Sequence, residues 1–341
     1  MNILAIETSC DETACAIVED GVHVLSSVIA SQIPLHQLTR GVVPEVAARA
    51  HVSYMIPVVK EALMKANLRQ QDIDALAVSQ GPGLIGSLII GVTCAQVLSQ
   101  EWGKPLIPVN HIVGHLYANF LGREKIPTLP ILIISVSGGH NDMVLLKEHG
   151  EIEILGQTQD DSAGEAFDKA AKMLDLPYPG GPEIEKLAKF GKSGEFKLPR
   201  AWLQQVPTGL RPKVIEDFNF SFSGLKTSLY VLIKKLGDLS PETKADLALE
   251  FQEAIFDILA SKLFAAWEKY RTPTVFISGG VSANQRLRDL VVEKFQGKDM
   301  ELLYPVKLSY CTDNAAMIAA AAYFNPVKSR AILEPDPNLW F

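Results

Sequence analysis

The stretch that decides the fold is N-I-L-A-I-E-T-S-C-D-E-T-A-C-A-I-V-E, residues 2–19. Two short apolar runs, residues 2–6 and 14–19, flank a polar turn, and a third apolar run covers residues 22–30. Three strands with tight connections form a β-meander. From residue 129 the pattern begins again, with strands predicted at 129–136, 143–146 and 152–157. This repetition indicates a duplicated α/β architecture.

The remaining segments alternate between helical and extended patterns. Further strands are predicted at residues 73–78, 106–109, 273–278 and 300–304. Helices are predicted at residues 44–67 (with Pro57 as a potential break), 87–100, 162–174, 183–190, 225–235, 241–270, 285–295 and 314–324. We therefore expect an N-terminal lobe over residues 1–127 and a second lobe over 128–305. A C-terminal loop and helix over 306–325 is expected to pack back at the lobe junction, followed by an extended tail over 326–341.

The composition is that of an ordinary globular protein. The chain has 341 residues, of which 48% are hydrophobic and 21% charged, and a net charge of -7 that provides no global attraction for nucleic acid. Its four cysteines form no C-x-x-C pair, which is typical of a reducing compartment. There is no basic segment before Glu7 and no apolar run long enough to span a bilayer. We expect a cytoplasmic protein without a membrane segment.

The stretch N-H-I-V-G-H, residues 110–115, is the best candidate for a metal site. It follows the predicted strand 106–109 and opens an apolar segment, 116–121, that is predicted to be helical. On a helix His111 and His115 lie one turn apart on the same face, where two imidazoles can chelate one metal ion. Asp313, in C-T-D-N, is the best carboxylate to complete the site. An H-x-x-x-H pattern alone is weak, and two ordinary histidines remain the alternative.

Three turns share one plan, in which a strand leads into small or hydroxyl residues. They are E-T-S-C-D-E-T at 7–13, S-V-S-G-G-H at 135–140 and S-G-G-V-S-A-N at 278–284. Glycine pairs can present backbone N–H groups to an anion, and the third turn also leads into a helix N-terminus. We expect a nucleotide bound between the two lobes. A fourth glycine-rich turn, Q-G-P-G-L-I-G-S at 80–87, is open to either ligand approach or close packing.

This plan resembles the actin, Hsp70 and sugar-kinase superfamily, which implies a two-lobed, duplicated RNase H-like α/β fold with an interlobe cleft. A more specific resemblance follows from nine motifs that occur in order between residues 7 and 319. They are E-T-S-C-D-E-T, G-P-G-L-x-G-S-L, H-x-x-x-H, S-G-G-H, G-E-A-F-D-K, Y-P-G-G-P, F-S-x-S-G-L-K-T, S-G-G-V-x-A-N and C-T-D-N-A-A-M-I-A. Together they are similar to the TsaD family of tRNA threonylcarbamoyladenosine transferases, in the form typical of its bacterial branch.

The resemblance implies an activity and a set of site residues. Members transfer a threonylcarbamoyl group from threonylcarbamoyl-AMP to N6 of the adenosine immediately 3' of the anticodon, in tRNAs reading codons that begin with adenine. His111, His115 and Asp313 match the ligands of one divalent metal ion per subunit, with Fe2+ favoured and Zn2+ as the alternative. The matching substrate-binding positions are Ser135, Val136, Ser137, Gly138, Gly139, Asp168, Gly181 and Asn284. The implied partners are tRNA, a TsaB-like paralogue and a TsaE-like ATPase.

The residues themselves suggest roles that fit this transfer. Asp168 could hold a ribose hydroxyl, and Asn284, at a helix start, could contact the nucleotide. Asp11 and Glu12 are the candidate catalytic residues, which could orient the incoming amine or a second ion, although a capping role for Asp11 is the alternative. The chain departs from the family pattern in two places. Asn141 stands where Thr is more usual, and Glu185 stands where many members have Asp, which puts a direct substrate contact there in doubt.

The acceptor requires positive charge, and one region supplies it. Between Lys186 and Lys235 there are ten basic and three acidic residues, a strong local excess in an acidic protein. We expect this region to contact tRNA phosphates, with a solvated surface as the alternative. The side chains that we expect to contact tRNA phosphates are Lys197, Arg200, Arg211 and Lys213, because their segment is irregular and can follow an RNA backbone.

Three other functions compete with the transferase. A metalloprotease is disfavoured because Ile112 follows His111 where a zincin has its catalytic Glu. A kinase or ATPase of the same superfamily would release phosphate without tRNA. A non-catalytic scaffold is disfavoured by the presence of both histidines together with Asp313.

Overall fold

The computed structural model describes residues 1–37, 41–200, 217–327 and 332–340. Contacts divide the chain into two compact units, which we call the first and second units. The first unit comprises Met1–Pro127, His149–Glu151 and Tyr304–Phe341, and the second comprises Thr128–Glu148 and Ile152–Leu303. Among the described residues, none of the helices combines the length and the hydrophobicity that a membrane span requires.

Among the described residues, each unit is built on one five-stranded sheet. The strands are β1 Asn2–Glu7, β2 Glu12–Glu19, β3 His23–Ser31, β4 Ala75–Gly81, β5 Leu106–Asn110, β6 Ile131–Val136, β7 Asn141–Glu148, β8 Glu151–Gln157, β9 Thr274–Ser278 and β10 Glu301–Leu303. The first sheet has the order β3-β2-β1-β4-β5, and the second has the order β8-β7-β6-β9-β10. The two orders are the same when β1–β5 are matched to β6–β10, so the duplicated architecture predicted from the repeated strand pattern is confirmed.

The pairing directions explain where chemistry can be placed. β1 pairs with β2 antiparallel and with β4 parallel, and β5 continues in parallel from β4. In the second sheet β6 likewise pairs antiparallel with β7 and parallel with β9. The carboxyl ends of the parallel strands in each sheet therefore lie at one edge, the usual position for ligand sites in α/β folds.

Ten α-helices accompany the sheets in the described part of the chain. They are α1 Ile33–Gln37, α2 Pro44–Ala66, α3 Ile85–Trp102, α4 His111–Tyr117, α5 Ala163–Met173, α6 Gly180–Ala188, α7 Ser223–Leu236, α8 Pro241–Tyr270, α9 Gln285–Phe295 and α10 Ala315–Phe324. The alanine-rich α10 packs against α4, β1 and β2 in the first unit. Its small side chains allow this close approach, and eight of its ten residues are buried.

The helix predictions were mostly confirmed, except that α1 was not predicted and that α6, predicted at 183–190, begins at Gly180 and ends at Ala188. Pro57 lies inside α2 without ending it. The predicted helical segment 116–121 is α-helical only to Tyr117, after which residues 118–120 form a 3-10 turn. Ser162 precedes α5 and caps it by accepting from the backbone N–H of Glu165, and the Glu165 carboxylate pairs with Lys169.

The end of the chain lies against the glycine-rich turn that follows β4. The N–H of Asp336 donates to the carbonyl of Gln80, and the N–H of Gly83 donates to the carbonyl of Pro337. A Cβ on Gly81, whose φ is +159°, would come within 1.7 Å of the Asp336 carbonyl oxygen. Gly81 therefore serves close packing of the tail.

Candidate metal centre and ligand-binding turns

The two histidines of N-H-I-V-G-H are presented by α4, which begins directly after β5. Asn110 caps this helix, since its side-chain oxygen accepts from the N–H groups of Ile112 and Val113 at 2.8 and 3.3 Å. His111 and His115 are 6% and 1% exposed, and their ring centroids are 4.8 Å apart. The cap and the helical spacing thus place both imidazoles on one buried face.

The carboxylate of Asp313 joins them from the turn before α10. Asn314 caps α10, and Gly114 lets α10 approach α4, because a Cβ there would lie 2.8 Å from Ile318 Cδ1. Asp313 Oδ1 lies 3.6 Å from His111 Nε2 and 3.1 Å from His115 Nε2. One ligand atom from each of the three residues lies within 4.8 Å of the others. The structure therefore brings all three predicted metal ligands together.

The polar atoms of this cluster fit a metal ion. Both ring nitrogens of His115 are buried and lack a hydrogen-bond partner within the described ranges, although Nε2 approaches Asp313 Oδ1. Nε2 of His115 and Oδ1 of Asp313 are thus close without forming a hydrogen bond, as expected for two ligand atoms that point at a common ion. A buried imidazole without a partner is otherwise costly. The donor set of two imidazoles and one carboxylate suits Fe2+ or Zn2+ and leaves coordination positions open.

Glu7, which the sequence analysis did not select, lies directly behind His111. It ends β1, is fully buried, and its Oε2 is 3.0 Å from His111 Nδ1. Burial alone would lower the pKa of His111, but the charges of Glu7 and Asp313 raise it to about 9. Burial raises the pKa of Glu7, and the facing imidazole outweighs this and lowers it. These two carboxylates make the cluster attractive to a cation.

The candidate catalytic acids lie on the turn between β1 and β2. Burial raises the pKa of both Asp11 and Glu12, and that of Glu12 reaches about 7 even though a hydrogen bond from Ser31 lowers it. The charge of Asp313 contributes to both shifts. The turn is fixed through the carbonyl of Cys10, which accepts from Ser87 Oγ at 3.1 Å and lies 3.0 Å from His51 Nε2. These two contacts hold the turn that carries the acids against α2 and α3.

The glycines after β4 pack against this same turn. A Cβ on Gly83 would lie 2.4 Å from the carbonyl oxygen of Ser9, and one on Gly91 would lie 2.2 Å from Thr8 Oγ1. The N–H of Leu84 also donates to the carbonyl of Ser9 at 2.7 Å. Of the two roles left open by the sequence, these contacts favour close packing.

In the second unit, the S-G-G-H turn follows β6 and rests on the start of α5. Ser137 Oγ accepts from the N–H groups of Gly139 and His140, so these two groups are not free donors for an anion, contrary to the expectation for a glycine pair. Gly164 allows the contact with α5, because its Cβ would lie 2.6 Å from Gly138 Cα. The space beside Gly138 and Gly139 is open for 4 Å. The pair therefore provides space for a ligand.

The turn after β9 lies beside the S-G-G-H turn. Ser135 and Ser278 are paired in register, and a Cβ on Gly279, at φ +81°, would lie 2.4 Å from the carbonyl oxygen of Val136. Asn284 ends this turn and caps α9, while its Nδ2 donates to Gln252 Oε1 at 3.1 Å. Both functional groups of Asn284 thus have structural partners.

The last predicted positions surround the start of α6. Asp168 Oδ1 accepts from the N–H of Gly180 at 2.6 Å, and the neighbouring Gly181 has open space at its Cβ position. The two departures from the family pattern have structural contacts. Asn141 Oδ1 accepts from the N–H of Ala163, and Glu185 Oε1 accepts from the N–H of Gln285.

The basic region is less available than the sequence suggested. Arg200 is 16% exposed and pairs with Glu250 and Asp257, so its expected role as a free phosphate contact is wrong for this structure. Arg211 and Lys213 lie outside the described residues. Lys197 and Lys235 line a cavity of about 620 Å³ together with Thr227 and Ser228. These two lysines are the best remaining candidates.

Comparison with known proteins places the chain in a family. The family model described as TsaD, tRNA N6-adenosine threonylcarbamoyltransferase, matches residues 23–320. Relatives of that name from Bacillus cereus and Thermomicrobium roseum are each 46% identical, covering 99% and 95% of this chain and 96% and 92% of their own lengths.

Solved structures share the fold at low sequence identity. T. kodakarensis HypF is 14% identical with a TM-score of 0.64, over 94% of this chain and 47% of its own. Component A of (R)-2-hydroxyglutaryl-CoA dehydratase from Acidaminococcus fermentans is 15% identical with a TM-score of 0.52, over 95% and 98%. These two likenesses bear on the fold alone. Because the family model matches residues 23–320 and the relatives match nearly the whole sequence, the chain belongs to the TsaD family of tRNA N6-adenosine threonylcarbamoyltransferases.

Proposed function

We propose that this protein acts in the cytoplasm, where it transfers a threonylcarbamoyl group to N6 of an adenosine in tRNA. The observation that carries the proposal is family membership over residues 23–320, supported by the cluster of His111, His115 and Asp313. The proposed donor is threonylcarbamoyl-AMP. The proposed acceptor is the adenosine immediately 3' of the anticodon in tRNAs reading codons that begin with adenine.

The chemistry requires positioning rather than a covalent intermediate. A mixed anhydride with AMP is already activated, so the adenosine N6 can attack the carbamoyl carbon directly. The bond from that carbon to the phosphate oxygen breaks, AMP leaves, and N6 loses a proton. The protein must therefore align the two substrates and supply a proton acceptor.

His111, His115 and Asp313 would hold one divalent ion per subunit, with Fe2+ favoured by the resemblance and Zn2+ as the alternative. When bound, the ion would act as a Lewis acid toward the carbamoyl or phosphate oxygens. The matching substrate positions are Ser135 to Gly139, Asp168, Gly181 and Asn284. The open space beside Gly139 and Gly181 supports nucleotide binding there. The identity of the metal ion is a separate question, which elemental analysis of the purified protein answers.

The decisive experiment is incorporation of labelled threonine into tRNA by the purified protein supplied with threonylcarbamoyl-AMP. We propose that a TsaB-like paralogue and a TsaE-like ATPase assist, so the assay is run with and without them. Labelled N6-modified adenosine supports the proposal. Phosphate release without tRNA and no transfer in any combination would instead favour a kinase or ATPase.

Glu12 is the proposed proton acceptor. Its Oε1 accepts from Ser31 Oγ at 2.8 Å, while Oε2 is buried without a hydrogen-bond partner in the described part of the chain. Since burial raises the pKa of Glu12 to about 7, the ionised form that can take a proton becomes the major form only above that pH. We expect kcat/KM for transfer to rise with pH through about 7, and Glu12→Gln to lose this rise together with about 100-fold in rate.

Ser31→Ala gives a matched test of this assignment. Its hydroxyl favours the ionised carboxylate, so its removal should shift the rising limb to higher pH. A Glu12→Gln variant with the wild-type pH profile would exclude Glu12 as the acceptor.

We propose that Lys197 and Lys235 contact tRNA phosphates beside the cavity that they line. The double variant Lys197→Ala/Lys235→Ala should weaken tRNA binding and reduce the slope of log affinity against log salt by about two, since each lost contact removes about one. Lys60→Ala, an exposed lysine in the first unit, is the control and should leave the slope unchanged. Filter binding at several salt concentrations measures the slope, and an unchanged slope in the double variant would move the acceptor surface elsewhere.

A further inference from the structure

A fully buried carboxylate behind the metal cluster has two well-defined acceptor contacts. Glu7 Oε1 accepts from the backbone N–H of Ser9 at 2.5 Å, and Oε2 lies 3.0 Å from His111 Nδ1. Burial of an ionised carboxylate is costly unless charge and hydrogen bonds compensate it. Because both oxygens face polar partners, Glu7 links the start of the acidic turn to the helix that carries the histidines.

The contact fixes the chemical form of His111. An ionised carboxylate only accepts hydrogen bonds, so the proton of the facing imidazole must reside on Nδ1. In the neutral imidazole, which is the form that binds a metal ion, the lone pair is then on Nε2, and it is this atom that lies 3.6 Å from Asp313 Oδ1. A carboxylate on the far nitrogen of a histidine ligand also fixes the ring orientation and increases the basicity of the ligand.

His115 provides an internal contrast. Its Nδ1 has no hydrogen-bond partner within the described ranges, so no described carboxylate orients its ring from the nitrogen remote from Asp313. The cluster therefore contains one histidine oriented by a carboxylate and one oriented by its surroundings. Loss of the carboxylate should affect His111 selectively.

We propose that Glu7 is a positioning residue for the metal centre, which holds His111 as the Nδ1–H tautomer with Nε2 directed at the ion. This inference rests on the proposed metal site. In this proposal Glu7 acts through His111 and is not itself a ligand of the ion.

The test uses Zn2+ as the probe, with the full-length protein. Glu7→Gln keeps the side-chain shape, but its amide has one oxygen for the two N–H groups that Glu7 accepts from. We expect Zn2+ affinity, measured by competition with a chromophoric chelator, to fall about 10- to 100-fold. Asp142→Asn, a buried acid of the second unit that pairs with Gln157, is the matched control and should keep wild-type affinity.

Nitrogen NMR of the histidine side chains in the Zn2+-loaded wild-type protein gives a readout that does not depend on any variant. We expect His111 to be bound through Nε2 with a slowly exchanging proton on Nδ1, and Glu7→Gln to lose that slow exchange. Coordination of wild-type His111 through Nδ1, or Zn2+ affinity of Glu7→Gln within threefold of wild type, would overturn the proposal for Glu7 alone. If wild-type protein and His115→Ala bound Zn2+ equally, both this inference and the metal site would be overturned.

Discussion

Replacing His115 by alanine is expected to remove bound metal and transferase activity together. Both imidazoles and Asp313 converge on one point, so the variant loses one of three protein ligands. Loss of a residue that only supports a metal ligand already costs about 10- to 100-fold in affinity, so removal of a ligand should cost roughly 100-fold or more. Elemental analysis and labelled-threonine transfer on the same preparation measure the two effects.

Two controls make this result specific. His23→Ala removes an exposed imidazole on β3 and should leave metal content unchanged. Circular dichroism should report a folded His115→Ala protein, because the ring has no hydrogen-bond partner in the described ranges. Full metal occupancy in the variant would exclude His115 as a ligand, and metal loss with full activity would exclude a role for the ion in transfer.

Much of the fold could be predicted from local pattern because its units are short and regular. Alternating apolar runs and polar turns define β1, β2 and β3, and the same spacing after residue 129 reveals the second sheet. The helical spacing of His111 and His115 likewise fixes their common face before any tertiary contact is known. What local pattern provides is the orientation of side chains within one element.

Contacts between segments that are distant in the sequence could not be predicted from local pattern. Glu7 and His111 are 104 residues apart, and nothing near Glu7 in the sequence indicates that it faces an imidazole. Its position as an acid that ends a buried strand is a signal for a partner, but does not identify the partner. Arg200 shows the converse error, since its acidic partners lie 50 and 57 residues further on. Counting charged residues along the sequence therefore overestimated how many basic side chains are available to contact phosphates.

Replacing Gly139 by valine is expected to weaken binding of AMP-type ligands by roughly 100-fold, a loss of about 2.7 kcal/mol. A Cβ at this position meets nothing within 4 Å, and the backbone is not in the left-handed region. The protein itself should accommodate valine, whereas its methyl groups would occupy space that a nucleotide needs. Titration calorimetry with AMP measures the effect.

Gly224→Val is the matched control, because its Cβ position is also open and lies at the start of α7. It should retain wild-type AMP affinity. Both valine variants should also keep the thermal unfolding midpoint of the wild-type protein. Gly164→Ala separates ligand space from turn placement, since its Cβ would lie 2.6 Å from Gly138 Cα and from the Ser137 carbonyl oxygen. That variant should lose stability as well as affinity, because the S-G-G-H turn must move away from α5. A folded Gly139→Val protein with wild-type AMP affinity would show that the nucleotide does not bind against this turn.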